Sequence, residues 1–372
     1  MADFAFRRQD ETAVASGMSG QHTSMPYCLQ YANSHLETTK IVPLTCHGHS
    51  RPITHVSFSS LLASSGSASQ YYMISSCKDN NPMLRDGLTG DWIGTFIGHK
   101  GAVWSSRLSD DATLAATGSA DFSAKIWDTF TGETLHTLQH NHIVRAVAFP
   151  PQGKPQVVAT AGMEKKLRVF DLSRVSNNTA ANGSNGTNGT DTTPFYEVGE
   201  GEHQGAIKSI IWSRDPNIVT TAADDKKIRW WDLRTRASIA SHDIDSLPLS
   251  CELNNGIGGN PDGTVTVAAG KNVYFFDGSR PGQLIKHIKT EREVASVALN
   301  GEAKRFVTGS PGDTWVHVWD FDSEQELETG KGHHGPVWTT CFSPDGKLYA
   351  TGSEDGTVKL WKFTTGPYGL WR

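Results

Sequence analysis

His99, Thr117 or Ser119, and Asp121 place an imidazole, a hydroxyl and a carboxylate along one short stretch, with Trp127 just beyond. Those are the parts of a hydrolytic triad, in which an aspartate orients a histidine that takes the proton of a nucleophilic hydroxyl. The same parts recur, however. From His99 it is 22 residues to Asp121 and 28 to Trp127, and the spacing is the same from His203 to Asp225 and Trp231 and from His333 to Asp355 and Trp361. A catalytic triad is needed once, so three copies point to a repeated hydrogen-bond network. In such a network the histidine links to the aspartate, and a hydroxyl and the indole N–H complete it. Each member then needs its partner, because a buried polar group left unpaired costs about 1–3 kcal/mol.

Other chemistry finds no motif. The chain has neither the Gly-rich Lys-Ser/Thr phosphate loop nor a His-Glu-x-x-His pair, and the five cysteines (Cys28, Cys46, Cys77, Cys251, Cys341) contain no C-x-x-C. The expectation is a protein without catalytic, metal-binding or cofactor-binding residues, its thiols free. A net charge of -5 argues against a surface that traps nucleic acid or acidic membranes as a whole. No run of 18 apolar residues occurs, and MADFAFRRQDETAVASG lacks the apolar core of a secretory signal. These features predict a soluble, intracellular protein; the expected location is the cytoplasm, with the nucleus as a second one. The Asn182, Asn185 and Asn188 sequons then read as part of a Gly/Asn/Ser/Thr-rich loop over 174–193.

The elements that position the repeated residues are strands. GHKGAVW (98–104) returns as GHHGPVW (332–338) and, more loosely, within GEHQGAIKSIIW (201–212). Between landmarks the text alternates as strands do, LAATGSAD and then FSAKIWD, with turns such as PDG and EDG. Seven starts, near His49, His99, His140, His203, the segment before Ser250, Thr290 and His333, match seven endings. The endings are MLRD (83–86), IWD (126–128), VFD (169–171), WWD (230–232), FFD (275–277), VWD (318–320) and LWK (360–362), read as the fourth strands. The Gly-His start, Asp turn and Trp-Asp end resemble WD repeats. This resemblance implies an all-β, seven-bladed WD-repeat β-propeller. The piece IVPLTC (41–46) is predicted to supply the outer strand of the last blade and so close the ring. Residues 1–40 are predicted to form a flexible extension, and 41–372 the propeller.

Three blades depart from the pattern. Blade five carries Phe276 for the Trp and Gly270 for the Asp, which predicts no network there. Blade three lacks the Trp as well. Blade one has Arg85 at the Trp position, so either that blade is rebuilt locally or Arg85 reaches an exposed face.

The fifth residue after each repeat histidine is predicted to stand at the mouth of the central channel. This selects Thr54, Trp104, Arg145, Lys208, Ser250, Ala295 and Trp338. Blades seven, one and two are neighbours in a closed ring, so Trp338, Thr54 and Trp104 should form an aromatic stretch followed by Arg145 and Lys208. Such an arc suits a partner peptide or a stacked base. The plainer alternative is rim packing for the tryptophans and solvated charge for Arg145 and Lys208.

CKDNNPMLRDGLTGDWIGTFIGHKGAVW (77–104) narrows the resemblance to the serine/threonine kinase receptor-associated (unr-interacting) family of WD-repeat proteins. SADFSAKIWD (119–128), TLQHNHIVRAV (137–147), TAADDKKIRWWD (221–232) and YGLW (368–371) continue it. The resemblance implies an adaptor without catalytic activity. It would associate with subunits of the survival-of-motor-neuron complex in spliceosomal ribonucleoprotein assembly and mRNA splicing, with RNA-binding regulators, and in animals with receptor kinases. Contact with RNA would be indirect, and the protein a monomer within a larger complex. The alternative is the propeller subunit of translation initiation factor three, which shares the GHxGAVW repeat.

Overall fold

The structure is a computed structural model that describes residues 42–62, 70–174 and 194–371. The predicted extension over 1–40 lies outside the described residues, as does the Asn/Gly loop except for its first residue. Twenty-eight strands form seven antiparallel four-stranded sheets, and two short 3₁₀ turns, Leu172–Arg174 and Ile257–Gly259, are the helical segments among the described residues. In six sheets the strands follow chain order from the innermost outward. The seventh is built from both parts of the chain: Leu44–Cys46 pairs with Val358–Lys362, with Leu44 opposite Leu360 and Cys46 opposite Val358. The propeller is therefore seven-bladed and closed by the N-terminal strand. No helix among the described residues is long and apolar enough to cross a membrane.

One expectation is corrected here. The Trp-Asp segments are the third strands of the blades, and the fourth strand follows each of them, as Trp92–Thr95 follows Met83–Asp86 and Thr134–Gln139 follows Ser123–Asp128. Repeat and blade are thus offset by one strand. The outer strands are short and polar or half exposed, so they carry little of the 2-residue apolar alternation that reveals a strand in sequence.

The core lies between blades. One cluster joins Ala146, Ala159 and Val169 of blade three to Ile207, Val219 and Trp231 of blade four. Another joins Cys46, Val358 and Leu360 to Ile53, Val56 and Met73, where the ring closes. Each sheet is therefore buried on both faces, which explains middle strands such as Leu114–Ser119 that bury every side chain.

Candidate functional site

The repeated residues come together inside single blades. In blade two, His99 Nδ1 lies 2.8 Å from Asp121 and Nε2 lies 2.7 Å from the Thr117 hydroxyl, while Trp127 donates its indole N–H to Thr117 at 2.8 Å. The hydroxyl is that of Thr117. Ser119 instead caps the turn, donating to the Gly101 carbonyl and accepting from the Asp121 amide. Blade seven repeats this with His333, Asp355, Thr351 and Trp361 at 3.0, 2.7 and 2.8 Å. Asp121 also accepts the Lys100 and Ser123 amides. Burial alone would raise the pKa of Asp121 and Asp355, but the histidine and the turn donors, for Asp355 the His334 and Thr357 amides, hold both well below the usual carboxylate range. Thr117 is fully buried and shared between His99 and Trp127, so the hydroxyl that a nucleophile would need is spoken for.

Blade four differs by one insertion. His203 bonds Thr221 at 2.9 Å and Trp231 bonds Thr221 at 2.8 Å, but Arg229 stands between His203 (3.0 Å) and Asp225 (2.8 Å). His203 Nδ1 and Asp225 are 3.5 Å apart. Blade three uses the same device: Arg168 contacts His140 at 3.0 Å, and Glu164 supplies the carboxylate and accepts the Asn141 amide. Blade one keeps His49 with Asp79 (3.0 Å) and Ser75 (2.9 Å), although an insertion spreads that pair to 30 residues. Arg85 is buried there rather than exposed, donating to the Gly90 carbonyl at 3.1 Å and to the His47 carbonyl. The blade is rebuilt locally around it. In blade five Phe276 is fully buried against Trp230 and His242. Blade six keeps Trp319 to Thr308 at 2.9 Å without a repeat histidine.

His49, Cys77 and Asp79 bring three metal-capable ligand atoms within 4.8 Å of one another. Both nitrogens of His49 are engaged, the Cys77 thiol donates to the Arg51 carbonyl at 3.0 Å, and burial pushes its pKa up to about 12. The ligand atoms are thus already committed to hydrogen bonds within the blade.

The predicted rim residues also meet. A cavity of about 230 Å³ opens at the start of the innermost strands, and Thr54, Trp104, Arg145, Lys208, Ser250, Ala295 and Trp338 all line it. The local cause is a register irregularity. The ladder between first and second strands skips one residue after Ile53, Val103, Val144, Ile207, Pro248 and Val337. The skipped residues are Thr54, Trp104, Arg145, Lys208, Leu249 and Trp338, so in blade five the bulged residue is Leu249 and the expected Ser250 stays in the ladder opposite Ala268. A bulge breaks the in–out alternation of a strand and re-aims the extra side chain, here toward the mouth.

The five other than Leu249 have different commitments. Thr54 donates to the Val103 carbonyl at 2.6 Å and so ties blade one to blade two. Lys208 pairs with Asp224 at 2.8 Å, and the Trp338 indole N–H donates to Glu354 at 2.5 Å. Arg145 stacks on Trp104, its guanidinium carbon 3.9 Å from the ring centroid, with Lys78 Nζ 5.8 Å from the same centroid. Trp104 and Trp338 share the rim without a ring contact among the described residues.

Two groups were missed in the sequence. Lys78 lies immediately before the turn aspartate Asp79, and Asp224 and Glu354 hold the same place before Asp225 and Asp355. All three reach the rim, so the position before the turn aspartate was a readable signal. The second group fills the channel: Glu252 of blade five accepts from Arg107 of blade two at 2.6 Å and lies 3.0 Å from His55 Nε2 of blade one. These partners are 145 and 197 residues apart and follow no period. Burial alone would raise the Glu252 pKa, but Arg107 and then His55 hold it at about 2. Burial, and secondly Arg107, lower that of His55. Glu252 and Arg107 also line a second cavity of about 240 Å³ at the far ends of the innermost strands. The ion pair thus stands across the channel between its two mouths.

Seven four-stranded blades, the buried His–Thr–Trp relays and the shared mouth define a WD-repeat β-propeller. The family described as "WD domain, G-beta repeat" matches residues 90–128, 132–171, 198–232 and 324–362. The chain is 39% identical over 331 residues to a serine-threonine kinase receptor-associated protein from Gallus gallus, covering 89% of this chain and 85% of that protein. It is 38% identical over 324 residues to one from Dictyostelium discoideum, covering 86% and 98%. A eukaryotic translation initiation factor 3 subunit I from Culex quinquefasciatus is 30% identical over 345 residues, covering 88% and 98%. The chain belongs to the serine-threonine kinase receptor-associated protein family of WD-repeat propellers.

Proposed function

We propose that the protein is a non-catalytic adaptor that holds protein partners at the mouth where the bulged residues converge. Its setting in this reading is spliceosomal ribonucleoprotein assembly and mRNA splicing, in the cytoplasm and nucleus, alongside subunits of the survival-of-motor-neuron complex and RNA-binding regulators. The observation that carries the adaptor reading is the mouth itself. Six separate blades give up ladder pairing at one residue to turn a side chain toward it. The likeness to receptor-associated proteins over most of their length supports a partner-holding role, and their name attaches a serine-threonine kinase receptor to those relatives. In animals a receptor kinase is accordingly a further partner.

Affinity purification of the tagged protein near physiological salt, with and without ribonuclease, tests the setting. Recovery of survival-of-motor-neuron or spliceosomal core proteins that survives ribonuclease is the expected result. Replacing Trp104 and Trp338 together with Ala should weaken that recovery while leaving the melting transition in place, and undiminished recovery would remove the mouth from the account. The initiation-factor relative, similar over 98% of its own length, supports a second reading as a translation-factor propeller. Recovery of initiation-factor subunits alone would select it.

A further inference from the structure

Charge at the mouth is not balanced. Four permanent cations line it, Lys78, Arg107, Arg145 and Lys208, against the Glu252 carboxylate in its wall and those of Asp224 and Glu354 at the rim. Arg107 is consumed by Glu252 at 2.6 Å and Lys208 by Asp224 at 2.8 Å. Lys78 and Arg145 have no acidic partner within ion-pair distance among the described residues, and both lie over the ring of Trp104. Arg145 is held largely out of water, which lowers its pKa, and Asp224, the carboxylate whose charge partly offsets this, is already paired with Lys208. In a chain of net charge -5, two adjacent unpaired cations at the mouth of the channel stand out.

Unmatched hydrogen-bonding groups collect in the same place. The Trp104 indole N–H and the hydroxyls of Ser296 and Thr340 are buried without a partner, and all three residues line this cavity. Ser296 and Thr340 are each 2% exposed. Buried polar groups ordinarily find partners, so the wall just beneath the cavity surface is polar and left unsatisfied by the chain itself.

We infer that the mouth recognises an acidic segment of a protein partner, seating one Asp or Glu carboxylate against Lys78 and Arg145 beside the Trp104 ring. This rests on the adaptor reading above and names the chemistry its partner must carry. Charge-assisted bonds from a guanidinium to a carboxylate are among the strongest polar contacts, and an aromatic ring fixes the arginine for them. A nucleic acid fits less well. It needs a track of cations along its backbone, whereas here the unpaired cations number two and the channel behind them is closed by the Glu252 carboxylate.

The test is selection of a random dodecapeptide display library on the immobilised full chain, followed by fluorescence anisotropy with the selected peptide. The expected result is an Asp or Glu enriched at one fixed position. Changing that residue to Asn or Gln should cost about tenfold or more in affinity, as should Lys78→Gln or Arg145→Gln in the protein. Arg145→Glu should bind the peptide carrying Lys at that position better than the acidic one. Neither side chain makes a hydrogen bond among the described residues, and Arg145 gives up its stacking on Trp104, so these variants should stay folded, which their melting transitions check. Selection without an acidic position, recovery of no peptide, binding only when phosphoserine replaces the acid, or equal displacement by a U12 oligoribonucleotide would each overturn the inference. Loss of native partners by the double tryptophan variant alongside any of those results would leave the adaptor reading intact. Retention of partners by that variant would bring down the adaptor reading itself.

Discussion

Arg229 donates to Nδ1 of His203 at 3.0 Å, the atom through which His99 and His333 reach Asp121 and Asp355. An arginine offers only donors, so His203 Nδ1 must accept and its proton must sit on Nε2, facing Thr221. In blade seven the Asp355 carboxylate accepts from Nδ1–H of His333, and the Thr351 hydroxyl donates to Nε2. Long-range ¹⁵N–¹H correlation should therefore show opposite neutral tautomers for His203 and His333, whose pKa values burial lowers. Arg229→Gln should raise the pKa of His203 by about one unit or more from its value of about 4, since burial and then the guanidinium depress it. Identical tautomers in the two blades would refute the relay reversal.

Acid should unfold the propeller in two stages. Burial, and secondly Arg168 and Arg229, bring His140 and His203 down to about 4 in the folded state. The unfolded chain, with histidine near 6.5, then takes up the protons first. That stability is whole above about 6.5 and drains as pH falls toward about 4, by up to about 3 kcal/mol per histidine. Asp79 and Glu252, both near 2 when folded, hold stability that is present above about 4 and lost as pH falls toward 2. Urea unfolding across pH 3–8 should rise monotonically, and His203→Gln should flatten the limb between 4 and 6.5. A maximum below pH 5 would contradict this assignment.

Arg107 and Glu252 join opposite sides of the ring. Their side chains keep 23% and 18% exposure, which tempers the interaction to about 1–2 kcal/mol, below that of a fully buried pair. A double-mutant cycle with Arg107→Met and Glu252→Gln, measured by denaturant unfolding, should return a coupling of that size. Strict additivity of the two single variants would show that the pair does not brace the channel.

Gly199 is held at φ +61°, and a Cβ there would stand 1.9 Å from the Trp231 ring. Gly199→Ala should destabilise the fold by about 2–4 kcal/mol, through an unfavourable backbone conformation and a forced shift of a fully buried indole. Gly132, at φ +74° with open space around it, provides the contrast: Ala there carries only the backbone penalty of about 1 kcal/mol. Equal losses at the two sites would exclude the steric explanation.

The parts of the fold legible in sequence are those confined to one blade. His99, Thr117, Asp121 and Trp127 are close along the chain as well as in space, so a fixed spacing exposes them. The rim residues could be found for the same reason, because Trp104 and Arg145 keep a constant offset from a repeat histidine. Glu252, Arg107 and His55 could not, since the ring brings them together from blades five, two and one. The strand count per repeat also misled: a four-stranded blade takes its outer strand from the stretch before the next Gly-His, and polar strands such as Glu326–Lys331 leave no alternation to read.

The strand Leu44–Cys46 pairs with residues more than three hundred positions downstream, and Lys359 reaches Thr45 across 314 residues. A ribosome adding about 5–20 residues per second needs roughly 16–60 s to make the interval. For that time the first strand of the propeller is synthesised and unmatched, and every intermediate length presents a free sheet edge. Folding of the ring is thereby tied to completion of translation. The nascent chain passes through its aggregation-prone stage before the last blade exists, so the demand for chaperone cover falls at that stage.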